Sequence, residues 1–143
     1  MPARTKQRKT RAKTAKKKAG PLRIIVFACS RTIESNIAGD HMSLSLDDDV
    51  PVVPIMCSGR ISIAILIKAF EKGVDGVLVA GCNPDECRFG FGAHHGIAAV
   101  IQVQNLLNLL GIEKERVRFS GGRALTEAYR SFKKHLAKLG VLK

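Results

Sequence analysis

Four side chains in this sequence are equipped for metal or redox chemistry: Cys29, Cys57, Cys82 and Cys87. Thiolates bind soft metals, form disulfides or act as nucleophiles. Nothing in the sequence suggests export, and an intracellular chain keeps its thiols reduced, which argues against disulfides. Four thiolates suit structural zinc, but zinc ribbons favour tight C-x2-C pairs and this chain has none. An iron–sulfur cluster also takes four thiolates and accepts wider spacings. The stretch Cys82-Asn83-Pro84-Asp85-Glu86-Cys87 has the C-x4-C spacing of plant-type ferredoxins, without their next C-x2-C step. Spacing alone leaves zinc and iron–sulfur open and leans slightly to the latter.

The elements around these residues predict how they are brought together. Arg23–Ala28, Val50–Met56, Gly76–Ala80 and Val117–Phe119 are short apolar runs that read as strands. Pro51 and Pro54 make the second short or place it at an edge. Helices are predicted over 31–38, 61–72, 95–110 and 124–139, closed in the first three cases by Gly39, Gly73 and Gly111. The helix over 61–72 is apolar nearly all round, which implies burial on several sides. Residues 40–50, with Asp47, Asp48 and Asp49 in a row, read as a solvated loop. Alternating strands and helices predict an α/β fold: a flavodoxin-like three-layer domain with a short, mostly parallel four-stranded sheet. Cys29, Cys57 and Cys82 each follow a predicted strand. In a parallel sheet they therefore share the C-terminal edge, where such folds bind ligands. Gly59, Gly81, Gly90 and Gly92 flank them and would let backbone N–H groups approach a negatively charged group. Arg88 adjoins Cys87, and Arg60 closes the Cys57-Ser58-Gly59-Arg60 stretch; both could offset negative charge there.

The net charge of +12 suggests a nucleic-acid binder until it is located. Residues 1–20 hold nine basic residues and no acid, which leaves 15 basic against 12 acidic side chains in 21–143. Residues 1–20 are thus expected to be a disordered basic tail, and 21–143 the α/β domain that carries the four cysteines. No run approaches the roughly 18 apolar residues of a membrane span, and no apolar segment follows the basic start as in a secretory signal. A cytoplasmic protein is expected.

At the cysteines the chain resembles the iron–sulfur delta subunit of methyl-viologen-reducing NiFe hydrogenase. The likeness rests on Ile25-Val26-Phe27-Ala28-Cys29, on Met56-Cys57-Ser58-Gly59-Arg60, on Ala69 to Cys87, and on Leu110 to Arg116, and covers about residues 22–140. It implies a 2Fe-2S cluster held by Cys29, Cys57, Cys82 and Cys87. It also implies single-electron relay between a hydrogenase or formate dehydrogenase module and a flavin-containing, heterodisulfide-reductase-like subunit. One departure stands out. The family pattern has a C-x-x-C pair where this chain reads Cys29-Ser30-Arg31-Thr32. Thr32 is therefore expected near the site, capping a helix or bonding a cluster sulfur without ligating metal.

The competing reading is a zinc-stabilised or metal-free binding module whose basic tail holds nucleic acid or an acidic partner. No aromatic residue interleaves with the tail's cations, so sequence-specific base reading is not expected. A redox-active thiol enzyme is weaker, since no C-x-x-C is present. Acid–base machinery is sparse. His94 and His95 are adjacent, hence about 100° apart on a helix, and read as surface or interface residues. His41 and His135 read as solvated. Asp85 and Glu86, between two cysteines, either lower a cluster's potential or shape a turn.

Overall fold

The computed structural model describes residues 21–36, 46, 47, 49–122 and 124–142. Four strands, β1 (Ile24–Cys29), β2 (Val52–Ile55), β3 (Gly76–Gly81) and β4 (Val117–Gly121), alternate with helices α1 (Ser30–Asn36), α2 (Ile63–Glu71), α3 (Gly92–Leu109) and α4 (Leu125–Leu139). The sheet order is β2-β1-β3-β4 and every pairing is parallel. This is the expected α/β sandwich.

Strand alternation sends side chains to two separate cores. Ile24, Val26, Ala28, Leu78 and Ala80 pack with Leu125, Tyr129, Phe132 and Leu136 of α4 on one face. Phe27, Val77, Val79 and Val117 pack with Leu66 of α2 and Val100, Val103 and Leu107 of α3 on the other. β3 is buried along its whole length, as befits a central strand covered on both faces. β2 lies at the edge with Pro54 exposed, so the missing proline N–H costs no ladder bond inside the sheet.

Several boundaries differ from expectation for local reasons. α2 begins at Ile63 because Ser62 caps it, its hydroxyl accepting the Ile65 N–H at 3.3 Å. Ser58–Arg60 form a separate 3-10 turn before it. α2 is not buried all round: Leu66 and Ala69 are buried, while Ala64 and Ile65 are exposed. α3 starts at Gly92, and β4 runs on to Gly121. The Gly39 stop and most of the 40–50 loop, Asp48 included, lie outside the described residues. Asp47 is more than a solvated charge, since it accepts the Tyr129 hydroxyl at 2.8 Å and pairs with Lys133 on α4.

The sheet edge that carries the strands' N-termini is closed by Asp75. Its Oδ2 accepts the Arg23 N–H at 2.8 Å and its Oδ1 the Leu142 N–H at 2.7 Å. Beside it the buried Arg116 donates to the Asp75 and Gly140 carbonyls at 3.1 and 3.0 Å and to Glu113 at 2.8 Å. No helix among the described residues is long and apolar enough to cross a membrane.

Candidate metal centre

The chain leaves β1 for β2 on one side, then crosses back over β1 to β3 on the other. The crevice at such a reversal opens at the C-terminal ends of the strands. Cys29 ends β1, and Cys82 directly follows β3 across this crevice. Their sulfurs lie 3.6 Å apart. Cys29 is buried, and its Sγ takes the Thr32 N–H at 3.4 Å with the Thr32 Oγ1 at 3.0 Å.

The other two cysteines meet over the start of α3. Cys57 is extended, and its Sγ accepts the Gly59 N–H at 3.4 Å, capping the turn at Ser58–Arg60. Cys87 follows a second 3-10 turn, Pro84–Glu86. Its thiol lies beside that of Cys57 and near the backbone N–H groups of Phe89, Ala93 and Gly92, whose dipoles act on it. A Cβ on Gly92 would stand 2.2 Å from the Cys57 sulfur and 3.2 Å from that of Cys87. A Cβ on Gly59 would stand 2.8 Å from the Gly92 Cα, and one on Gly96 would stand 2.9 Å from the Ser58 carbonyl oxygen. The turn after β2 and the first turns of α3 therefore touch backbone to backbone, which brings Cys57 to Cys87.

All four cysteines line one small cleft, together with Ser30, Arg31, Met56, Ser58, Arg88 and Phe89. Among the described residues, no three His, Cys, Asp or Glu side chains gather closely enough to hold a single ion. The Cys29 and Cys82 sulfurs form a close pair, and those of Cys57 and Cys87 gather beside Gly92.

Electrostatics distinguish the thiols. Burial pushes Cys57 up, against the pull of the Gly59 N–H, and the neighbouring Cys87 adds to the rise. Burial and then Cys29 push Cys82 up to about 11, with Arg31 pulling the other way. Burial also acts to raise Cys87, but the N–H groups of Phe89, Ala93 and Gly92 and the Cys57 thiol together hold it below its ordinary value. Crowded thiols resist becoming anions together unless a cation joins them, and a bound metal supplies that charge.

Of the remaining sequence candidates, Arg88 lines this cleft, whereas His94, His95, Arg60, Asp85 and Glu86 do not. His94 and His95 are exposed on the first turn of α3. His95 borders a neighbouring hollow with Met56, Arg60, Phe89 and Phe91. His135 is half-buried rather than solvated, its Nε2 buried without a partner among the described residues, and His41 lies outside them. Asp85 and Glu86 are exposed, as is Arg60, while Arg88 makes a long 3.8 Å contact with Glu34. Sequence reasoning missed Ser58 and Gly96 as parts of the site's floor. The Cys-Ser-Gly sequence was the only signal for the former.

Comparison with known proteins follows the same residues. The family model described as "Methyl-viologen-reducing hydrogenase, delta subunit" matches residues 24–140. The chain is 32% identical over 126 residues to an F420-non-reducing hydrogenase iron–sulfur subunit of Archaeoglobus profundus, covering 84% of this chain and 92% of that one. It is 41% identical over 68 residues to the vhc iron–sulfur subunit of an F420-non-reducing hydrogenase of Methanococcus voltae, 48% of this chain and 47% of that one. It is also 28% identical over 140 residues to a ferredoxin:CoB-CoM heterodisulfide reductase subunit of Methanosarcina mazei. That match takes in 92% of this chain but only 17% of the far longer relative.

Proposed function

Because the chain belongs to the methyl-viologen-reducing hydrogenase delta-subunit family, we propose that it is an electron-transfer subunit. In this reading Cys29, Cys57, Cys82 and Cys87 hold a 2Fe-2S cluster, and the domain relays electrons between a hydrogenase and a heterodisulfide-reductase-like flavin subunit in the cytoplasm. The names of the relatives support both partners, one group being hydrogenase subunits and another belonging to heterodisulfide reductase.

The observation that carries the cofactor assignment is the pairing of the sulfurs. A tetrahedral metal with bonds of about 2.3 Å spaces two thiolate sulfurs by about 3.7 Å. The 3.6 Å between Cys29 and Cys82 matches that spacing. That pair, with the Cys57 and Cys87 sulfurs gathered beside Gly92, suits two metals with two protein thiolates each, as a 2Fe-2S cluster requires. The arrangement suits a single zinc less well. On this assignment Cys29 and Cys82 hold one iron, and Cys57 and Cys87 the other.

The surroundings fit a group that is anionic and needs no substrate pocket. The Thr32 and Gly59 N–H groups point at cysteine sulfurs, and those of Phe89, Gly92 and Ala93 lie near the Cys87 sulfur. Such bonds disperse negative charge and tune the potential. Gly92 leaves open the space beside two sulfurs that any side chain would fill. Bound there, the cluster supplies one-electron transfer. The protein fixes four sulfurs, keeps Cys29 and its neighbourhood dry, and leaves Met56, Phe89 and Phe91 exposed beside the site.

The test is anaerobic purification or reconstitution of the full chain. Iron and sulfide analysis should find about two of each per chain, with a paramagnetic signal on reduction. Each single Cys→Ser variant should lose most of the iron. One zinc per chain without sulfide would replace the relay with the binding-module reading.

A further inference from the structure

Thr32 stands three residues beyond Cys29, and the structure gives it an unusual pair of contacts. It is 3% exposed. Its Oγ1 lies 3.0 Å from the Cys29 Sγ and 3.1 Å from the Gly81 carbonyl oxygen. A hydroxyl has one hydrogen to give and lone pairs to receive. Without metal the bonds form a chain, in which the Cys29 S–H donates to Thr32 Oγ1 and the Thr32 O–H donates to Gly81.

A sulfur bound to iron has given up its proton, which leaves with metal loading. The Cys29–Thr32 contact then survives as a hydrogen bond only if the threonine hydrogen turns to the sulfur. The turn is a rotation about one C–O bond. It orphans nothing, because the Gly81 oxygen also accepts the Gly122 N–H at 3.2 Å. The new bond is charge-assisted and so roughly twice as strong as a neutral one.

We propose that Thr32 is a positioning residue whose hydroxyl, turned onto the Cys29 sulfur, raises the potential of the iron that Cys29 and Cys82 hold. The inference rests on the reading of the four cysteines as cluster ligands. A donated hydrogen bond withdraws charge from a ligating sulfur and favours the reduced state. The Thr32 N–H, aimed at the same sulfur, remains when the side chain is changed, so the hydroxyl can be tested alone.

The experiment compares the reconstituted full chain with Thr32→Val, Thr32→Ala and Thr32→Ser. Iron and sulfide content are measured first, then the midpoint potential by redox titration followed by paramagnetic resonance. All four proteins should hold the same iron. The Val and Ala variants should shift to lower potential, and Ser should return to the wild-type value. If Val fails to fold, Ala decides. Loaded Val or Ala protein with an unchanged potential overturns this inference alone, as does a Ser variant that shifts with them. Loss of iron from Val and Ala also overturns it, since Thr32 would then be holding the group. A wild-type chain without iron and sulfide overturns the proposed function, and this inference falls with it.

Discussion

Replacing Gly92 by alanine separates folding from metal binding in one methyl group. Gly92 is the first residue of α3, with no positive φ to forbid a side chain. By propensity alone the change should stabilise the helix, by at most about 1 kcal/mol. The added Cβ, however, lies 2.2 Å from the Cys57 sulfur. Ordinary non-bonded contact needs about 3.5–4 Å, so the sulfur must retreat by about 1.5 Å. Metal–ligand distances tolerate shifts of only about 0.2 Å. Cys57 can relieve the clash by rotating its side chain, at a cost of about 1 kcal/mol. Gain and cost nearly cancel, so the metal-free protein should keep its stability to within about 1 kcal/mol in urea denaturation. Its capacity for iron should nonetheless collapse, although alanine retains the N–H that lies near Cys87. Gly96→Ala is the contrasting control. There the Cβ meets the Ser58 carbonyl at 2.9 Å, and a backbone oxygen cannot rotate away. That variant should lose about 1–3 kcal/mol of stability through overpacking. Wild-type iron content in Gly92→Ala would refute the reasoning, because the Cys57 sulfur would then not be needed where the structure puts it.

Asp75→Asn should destabilise the fold by about 2–3 kcal/mol in urea, because two N–H groups now bond one carboxylate and an amide offers only one acceptor. Iron content should be unchanged, since Asp75 sits at the opposite sheet edge. Deleting residues 2–20 should also leave iron content unchanged, as that stretch contains no cysteine; iron loss from a folded truncation would refute the separation of tail and site. Lys133 and then Tyr129 hold the Asp47 carboxyl below its ordinary 3.8. A depressed carboxylate stabilises the fold above the unfolded pKa and loses that contribution as pH falls through the folded one. Urea melts between about pH 5 and pH 2 should therefore show a steeper acid loss in wild type than in Asp47→Asn, and parallel curves would refute the link.

Fold class and the gathering of the cysteines were legible for a common reason. Runs such as Ile24–Cys29 and Gly76–Gly81 carry the β-branched, fully apolar pattern of strands buried on both faces. Once the strands are parallel, residues that follow them must share an edge. The place of Thr32 was legible too, since a residue three beyond Cys29 in a helical turn comes back to it. The pairing of sulfurs was not. Cys82 and Cys87 are near in sequence, yet Cys82 pairs with Cys29 because β3 lies beside β1, and that order is set by how helices cover the sheet. The glycines were also ambiguous. Gly90 serves a turn, with φ +69, while Gly59, Gly92 and Gly96 serve close backbone approach. The two uses look alike in a sequence, and a helix expected only from residue 95 left Gly92 outside α3. The exposed flank of α2 was hidden for a similar reason: an apolar side chain records that it can be buried, not that its own chain buries it.

The carboxylate of Asp75 has a further consequence for how such a domain can be joined to other polypeptide. Arg23, where the chain comes in, and Leu142, where it goes out, bond the two oxygens of one side chain. The folded body is in effect a loop whose entrance and exit meet at a single knot. All four sulfurs lie at the far rim of the sheet. A segment with this geometry can be spliced between neighbouring modules, or linked end to end and reopened elsewhere, without the new junctions approaching the sulfurs. Appended sequence at either end can change length, charge or identity while the rim that carries the four cysteines stays as it is.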